Sequence, residues 1–177
     1  MSLSKKQSSH VFAPAYDLIR LAETIDQSVA DNYRMPCTGA FLAIGVYNIS
    51  LIEHLSANAV LMEIAARLKK VMRRGDMIGW ISEDHLGIVL SSCRPDNISG
   101  ATKRFVATVT SIDTPRGSID VTLSIASVAF PNDGLISSEV ITRAEAMLIE
   151  AMRAGPPPQT EPAPDEPSAV RQLRRRG

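Results

Sequence analysis

DMIGWISEDHLGIVLSS, residues Asp76 to Ser92, is the stretch whose reading decides the fold. Two short apolar runs, one around Ile78 and Trp80 and one from Leu86 to Leu90, flank the polar group Ser82-Glu83-Asp84-His85. Apolar runs of strand length on either side of a tight polar turn predict a β-hairpin. Trp80 alternates with Ile78 and is read as a packing residue. The acidic tip has the position of a working site. Asp84 beside His85 could do acid–base chemistry, but no nucleophile or phosphate loop accompanies them, and no spacing makes His54 and His85 a metal pair.

Outward from the hairpin, helical and strand patterns alternate. Val60, Leu61, Ile64, Ala65, Leu68 and Val71 recur at three and four and predict a helix over Ser56 to Met72. Lys69, Lys70, Arg73 and Arg74 gather at its C-terminal end, where the helix dipole favours cations, and Gly75 is the expected C-cap. On the other side, Pro95-Asp96-Asn97 opens a helix with the stripe Ile98, Ala101, Phe105, Val106 and Val109, and with Lys103 and Arg104 on its polar side. Further out, Gly39 to Tyr47 is a nearly continuous apolar run, as a central strand covered on both faces requires. Ile119 to Phe130 reads as one long strand closed by Pro131-Asn132-Asp133-Gly134. The outermost helices are Ala15 to Asn32, on Leu18, Leu21, Ile25 and Val29, and Ser138 to Ala154, on Val140, Ile141, Ala144, Met147, Leu148 and Ala151. Met62, Met72, Met147 and Met152 are read as core or rim residues. The order predicts a mixed sheet with helices packed over it.

Three segments follow: a flexible N-terminus over 1–13, one domain over 14–155, and a tail or linker over 156–177. The last holds six of the eleven prolines and has no apolar period, so an extended, disordered state is expected. Lys plus Arg and Asp plus Glu both number 19, so no charge field favours nucleic acid. No apolar run nears the ~20 residues of a membrane span, and the N-terminus is neither a signal peptide nor an anchor. Cys37 and Cys93 lack metal-ligand spacing, so free thiols in a reducing cytoplasm are expected.

Four local matches carry a family resemblance over roughly Ala40 to Gly155. They are Asn58-Ala59-Val60-Leu61 with Glu63-Ile64-Ala65; Arg73-Arg74-Gly75-Asp76 ahead of the hairpin; Val121-Thr122-Leu123-Ser124-Ile125-Ala126 leading through Ala129 to Phe130-Pro131; and Arg143-Ala144-Glu145-Ala146-Met147-Leu148 ending at Ala154-Gly155. In this order and spacing they resemble GGDEF domains, the diguanylate cyclases that join two GTP molecules into cyclic di-GMP. The family's leading Asp-x-Leu-Thr-Gly-Leu-x-Asn-Arg signature is not recognisable. The resemblance implies an α/β (α+β) domain of the palm type, with a ferredoxin-like sheet.

It also implies where the working parts lie. The family's Gly-Gly-Asp/Glu-Glu-Phe turn falls on Ser82-Glu83-Asp84-His85-Leu86. Glycines there let a backbone approach phosphates closely, and Glu83 would crowd and repel them, while Asp84 keeps an acid at the metal-binding position. Gly45 falls where a second metal carboxylate belongs. Glu53 and Asn58 replace the residues that read guanine, and Met152 replaces a phosphate-supporting lysine. A divalent ion needs more than one fixed carboxylate, so the expectation is a degenerate GGDEF domain that is not an enzyme, with no cofactor and no Mg2+.

A separate product-binding site of the family, Arg-x-x-Asp with an arginine from the next helix, matches Arg73, Asp76 and Arg104. Arginine forks grip phosphates and purine edges. The plainer reading gives Arg73 to the helix end, Asp76 to the chain entering the strand, and Arg104 to a solvated face. Two functions stay open: a cyclic di-GMP (or GTP) receptor, and an interaction module without ligand, for instance for an EAL-type phosphodiesterase, working with a protein partner or as a homodimer. A residual cyclase is the third.

Overall fold

The computed structural model describes residues 14–32, 38–49, 52, 56–114 and 117–156. The segment 1–13, Cys37, Glu53, His54 and the chain from residue 157 lie outside the described residues, and with them the readings made there.

The helix before the hairpin forms because Ser56 caps it. Its side chain accepts the N–H of Ala59 at 3.2 Å, and α2 runs Ala57–Val71 with Val60, Leu61, Ile64 and Leu68 buried. Gly75 is not the cap; Met72 is, its N–H bonding back to Leu68. The hairpin follows as β2 (Met77–Trp80) and β3 (Leu86–Leu90). At its tip, the N–H groups of Ile81 and Ser82 both donate to the carbonyl of His85, at 3.1 and 3.4 Å.

β1 (Gly39–Val46) lies at the centre, and all eight of its residues are buried. It pairs antiparallel with β3 on one side, Leu42 opposite Ile88, and with β6 (Leu123–Phe130) on the other, Ala43 opposite Ala126. The sheet order is β2-β3-β1-β6. The expected class holds, but the sheet is antiparallel throughout instead of mixed. Each helical crossover joins parallel strands, and each such pair has a third strand inserted between its members, so every neighbour runs the opposite way.

Both faces are covered, which is why β1 has no polar alternation. Ala40, Leu42, Ile44 and Val46 pack with α2 and with Ala101 and Phe105 of α3 (Pro95–Thr108). Phe41 and Ala43 pack with Leu21, Ile25 and Val29 of α1 (Pro14–Asn32) and with Val140, Ile141, Ala144 and Leu148 of α4 (Ser137–Ala154).

Ile119 to Phe130 is not one strand. A second, two-stranded sheet of β4 (Ser111–Thr114) and β5 (Gly117–Asp120) precedes β6. The ladder breaks because Val121 donates its N–H to the carbonyl of Thr110 at 2.8 Å, whereas Thr122 turns to β1, taking the N–H of Tyr47 at 3.0 Å. Val106 and Met147, expected in the core, are 41% and 42% exposed. Each stands at the margin of its helix's stripe, beyond the reach of the sheet.

Candidate functional site

The turn residues are held by their own polar groups. Ser82 Oγ donates to Asp84 Oδ1 at 2.9 Å, and His85 Nδ1 lies 3.5 Å from the same oxygen. Glu83 is exposed, and Leu86, the first residue of β3, is fully buried. His85 tucks inward, its side chain 13% exposed. It reaches Gly45 at the end of β1: a Cβ on Gly45 would come within 2.7 Å of Met152 Sδ and 3.2 Å of His85 Cδ2. Three positions far apart in the sequence thus close on one another, and a side chain at Gly45 would displace two neighbours. Tyr47 ties the same end of the sheet to α4, its hydroxyl donating to the carbonyl of Ala151 at 2.8 Å.

Glu145 on α4 joins this group, and the sequence reading missed it. Burial pushes its carboxyl up; the His85 charge lowers it and Asp84 raises it. The available signal was its position four residues after Ile141 on the inward side of α4. As a seat for a divalent ion the set does not fit. Gly45 brings no side-chain carboxylate, Asp84 is already engaged by Ser82 and His85, and among the described residues no three His, Cys, Asp or Glu are placed to hold a metal. At the start of α2, Asn58 has its Oδ1 buried with no hydrogen-bond partner among the described residues.

The upstream edge is a second cluster. Asp76 folds back on Arg73: its Oδ2 accepts the Arg73 N–H at 2.9 Å, and its own N–H donates to the Arg73 carbonyl at 3.1 Å. Ser91 Oγ pins the adjacent Gly75 carbonyl at 2.7 Å. Cys93 lies beyond, locked to the chain entering β1 by its N–H to the Thr38 carbonyl at 2.8 Å and by Thr38 Oγ1 to its own carbonyl at 2.9 Å. Burial pushes the Cys93 thiol up, Arg73 pulls it down, Asp76 pushes it up and Arg104 pulls it down. Arg73, Asp76 and Arg104 thus all act electrostatically on one thiol, and both arginine side chains are exposed. Asp76 also serves the structural role expected of it by the plainer reading.

Residues 20–156 match the family model described as diguanylate cyclase, GGDEF domain. The chain belongs to the GGDEF family. The domain's fold is that of solved relatives. The GGDEF domain of YfiN (TpbB) from Pseudomonas aeruginosa superposes with a TM-score of 0.70 at 18% identity, over 80% of this chain and 90% of that one. The diguanylate cyclase SiaD from the same organism, solved with its activator SiaC, gives 0.68 at 22% identity, over 78% and 55%. The GGDEF domain of DgcB from Caulobacter crescentus, solved with c-di-GMP, gives 0.63 at 13% identity, over 76% and 83%. No curated protein matches the chain. The GGDEF domain thus belongs to the cyclic di-GMP signalling family. Among its described residues, no helix is long and apolar enough to cross a membrane.

The expectation that the chain is not an enzyme is overturned by the family match, which is to diguanylate cyclases. That expectation weighed side chains at individual contacts. The match covers the frame instead: the central strand, hairpin and helices that present a site are fixed by burial, and substitutions at exposed tips leave them intact.

Proposed function

We propose that this GGDEF domain binds cyclic di-GMP at the edge formed by Arg73, Asp76 and Arg104. The observation that carries this reading is the fold of Asp76 back onto Arg73 at the end of α2, with the Arg73 and Arg104 side chains both exposed and all three charges felt by the Cys93 thiol. Two exposed guanidinium groups suit a ligand with two phosphates and two guanines, since each can grip an oxygen pair or stack on a base. Asp76 adds an acceptor for guanine N–H groups. DgcB, a relative in fold, was solved with the same dinucleotide. Calorimetry with cyclic di-GMP is expected to give an affinity of about 1 µM or tighter, and Arg73→Ala to weaken it by about tenfold to a hundredfold, the loss of a charge-assisted pair. No heat, together with no rise in melting temperature, would sink the reading.

The family match favours a second reading, cyclase chemistry on GTP. The buried Oδ1 of Asn58 supports a base near the start of α2. Incubation with GTP and magnesium or manganese tests it. Cyclic di-GMP as product supports the reading, and unchanged GTP removes it.

A further inference from the structure

The two outer strands of the sheet end differently. β2 is short, and the Trp80 N–H that points away from β3 is taken by Asp17 Oδ2 of α1 at 3.2 Å. β6 has eight residues, LSIASVAF, without a charge or a proline. Its end bonds fix which way each peptide faces. The carbonyl of Thr122 accepts from Tyr47, so Ser124, Ala126 and Val128 bond toward β1. The alternate series faces outward. Val121 gives its N–H to Thr110 at 2.8 Å. Ala129 gives its N–H to Asp133 Oδ2 at 3.2 Å and takes the Asp133 N–H at 2.9 Å. Between these two stops, Leu123, Ile125 and Ser127 each hold out one N–H and one C=O, and no described residue bonds to them.

We propose that this edge takes a short, uncharged, extended segment of a partner protein as an added strand. An open edge of this kind templates pairing, and main-chain bonds supply the affinity of strand addition. The gap from Leu123 to Ser127 is four steps, about 13 Å at the usual rise. A second β6 does not fit it: paired antiparallel about Ile125, the copy's Ala129 would fall on Val121, where Thr110 already sits. A segment of about five residues does, ending before both stops. Its side chains meet half-buried Ile125 on one face. On the other they meet Met147, 42% exposed and one turn beyond Arg143, which grips the Asp133 carbonyl at 3.1 Å. With no charge on β6 to pair, a charged segment would lose hydration without return.

The full chain, labelled with nitrogen-15, tests this with an uncharged synthetic peptide of five alternating threonines and valines, blocked at both ends. In the free protein the amides of Leu123, Ile125 and Ser127 should exchange at least about a hundredfold faster than those of Ser124, Ala126 and Val128. Millimolar peptide should slow the outward set by at least about tenfold and shift their resonances. Ser127→Pro removes one outward N–H and leaves the inner ladder whole, so peptide binding should fall about tenfold with melting unchanged. If that variant is poorly folded, the same peptide with alternate amides N-methylated gives the independent arm and should not bind. Outward amides already as protected as the inward ones would overturn the proposal, as would a peptide that leaves them unshifted.

Discussion

Glu145 shows how a single carboxyl can be set against its surroundings. Burial raises its pKa, with Asp84 adding to the shift and His85 opposing it. The folded state therefore binds the proton more tightly than the unfolded chain does. Stability from this group is full below the ordinary glutamate range and falls as pH rises through the folded pKa. Glu145→Gln should raise the melting temperature at neutral pH, with the gain fading below about pH 4, near the unfolded glutamate pKa. Melting curves across that range would measure it; a gain that persists in acid would mean that packing, not charge, is responsible. The contact of Gly45 with Met152 and His85 belongs to the same scale. It comes from β1, α4 and the hairpin tip, and no local pattern announces it.

Among the elements, two helices begin in different ways. α2 carries its own cap in Ser56, three residues before the N–H it satisfies. α4 has Ile136 at its cap position and no side-chain bond from it. Its start is held from another helix instead: Asp26 of α1 accepts the Ser137 N–H and hydroxyl, both at 2.8 Å. An acid at a helix N-terminus also interacts favourably with the positive end of the dipole. Asp26→Ala should cost about 1–2 kcal/mol, the range of a lost cap. Denaturant unfolding would read the loss, and amide exchange in the first turn of α4 should quicken. A cost no larger than that of a surface change would show that water replaces the carboxylate.

For the whole molecule, the sheet separates two cores, one under α2 and α3 and the other under α1 and α4. Phe105 is fully buried in the first. Phe105→Ala should cost about 3–5 kcal/mol, lost transfer energy plus a cavity. Because Arg104 lies 5.3 Å over the Phe105 ring and α3 carries it to the upstream edge, the same variant should weaken cyclic di-GMP binding as well. Full affinity in a destabilised protein would separate the site from this core. The antiparallel sheet also makes the two edges unlike, with Asp17 closing β2 and Asp133 and Thr110 bounding an opening on β6.

Much of this was legible along the chain. The hairpin, the buried central strand, the four helices and their inward stripes follow from local periodicity, because burial on a helix or strand repeats at fixed intervals. Arg73 and Asp76 could be paired only through the resemblance to the family's Arg-x-x-Asp site. The β4–β5 hairpin could not, since Ser111 to Thr114 carries a single buried residue, Ile112, and no alternation to read. Strand directions, the closure of Met152 and His85 on Gly45, the place of Glu145 and the cap from Asp26 were decided only by tertiary structure. Each depends on which elements become neighbours, and that is settled by burying both faces of one sheet at once, a condition no short window of sequence contains.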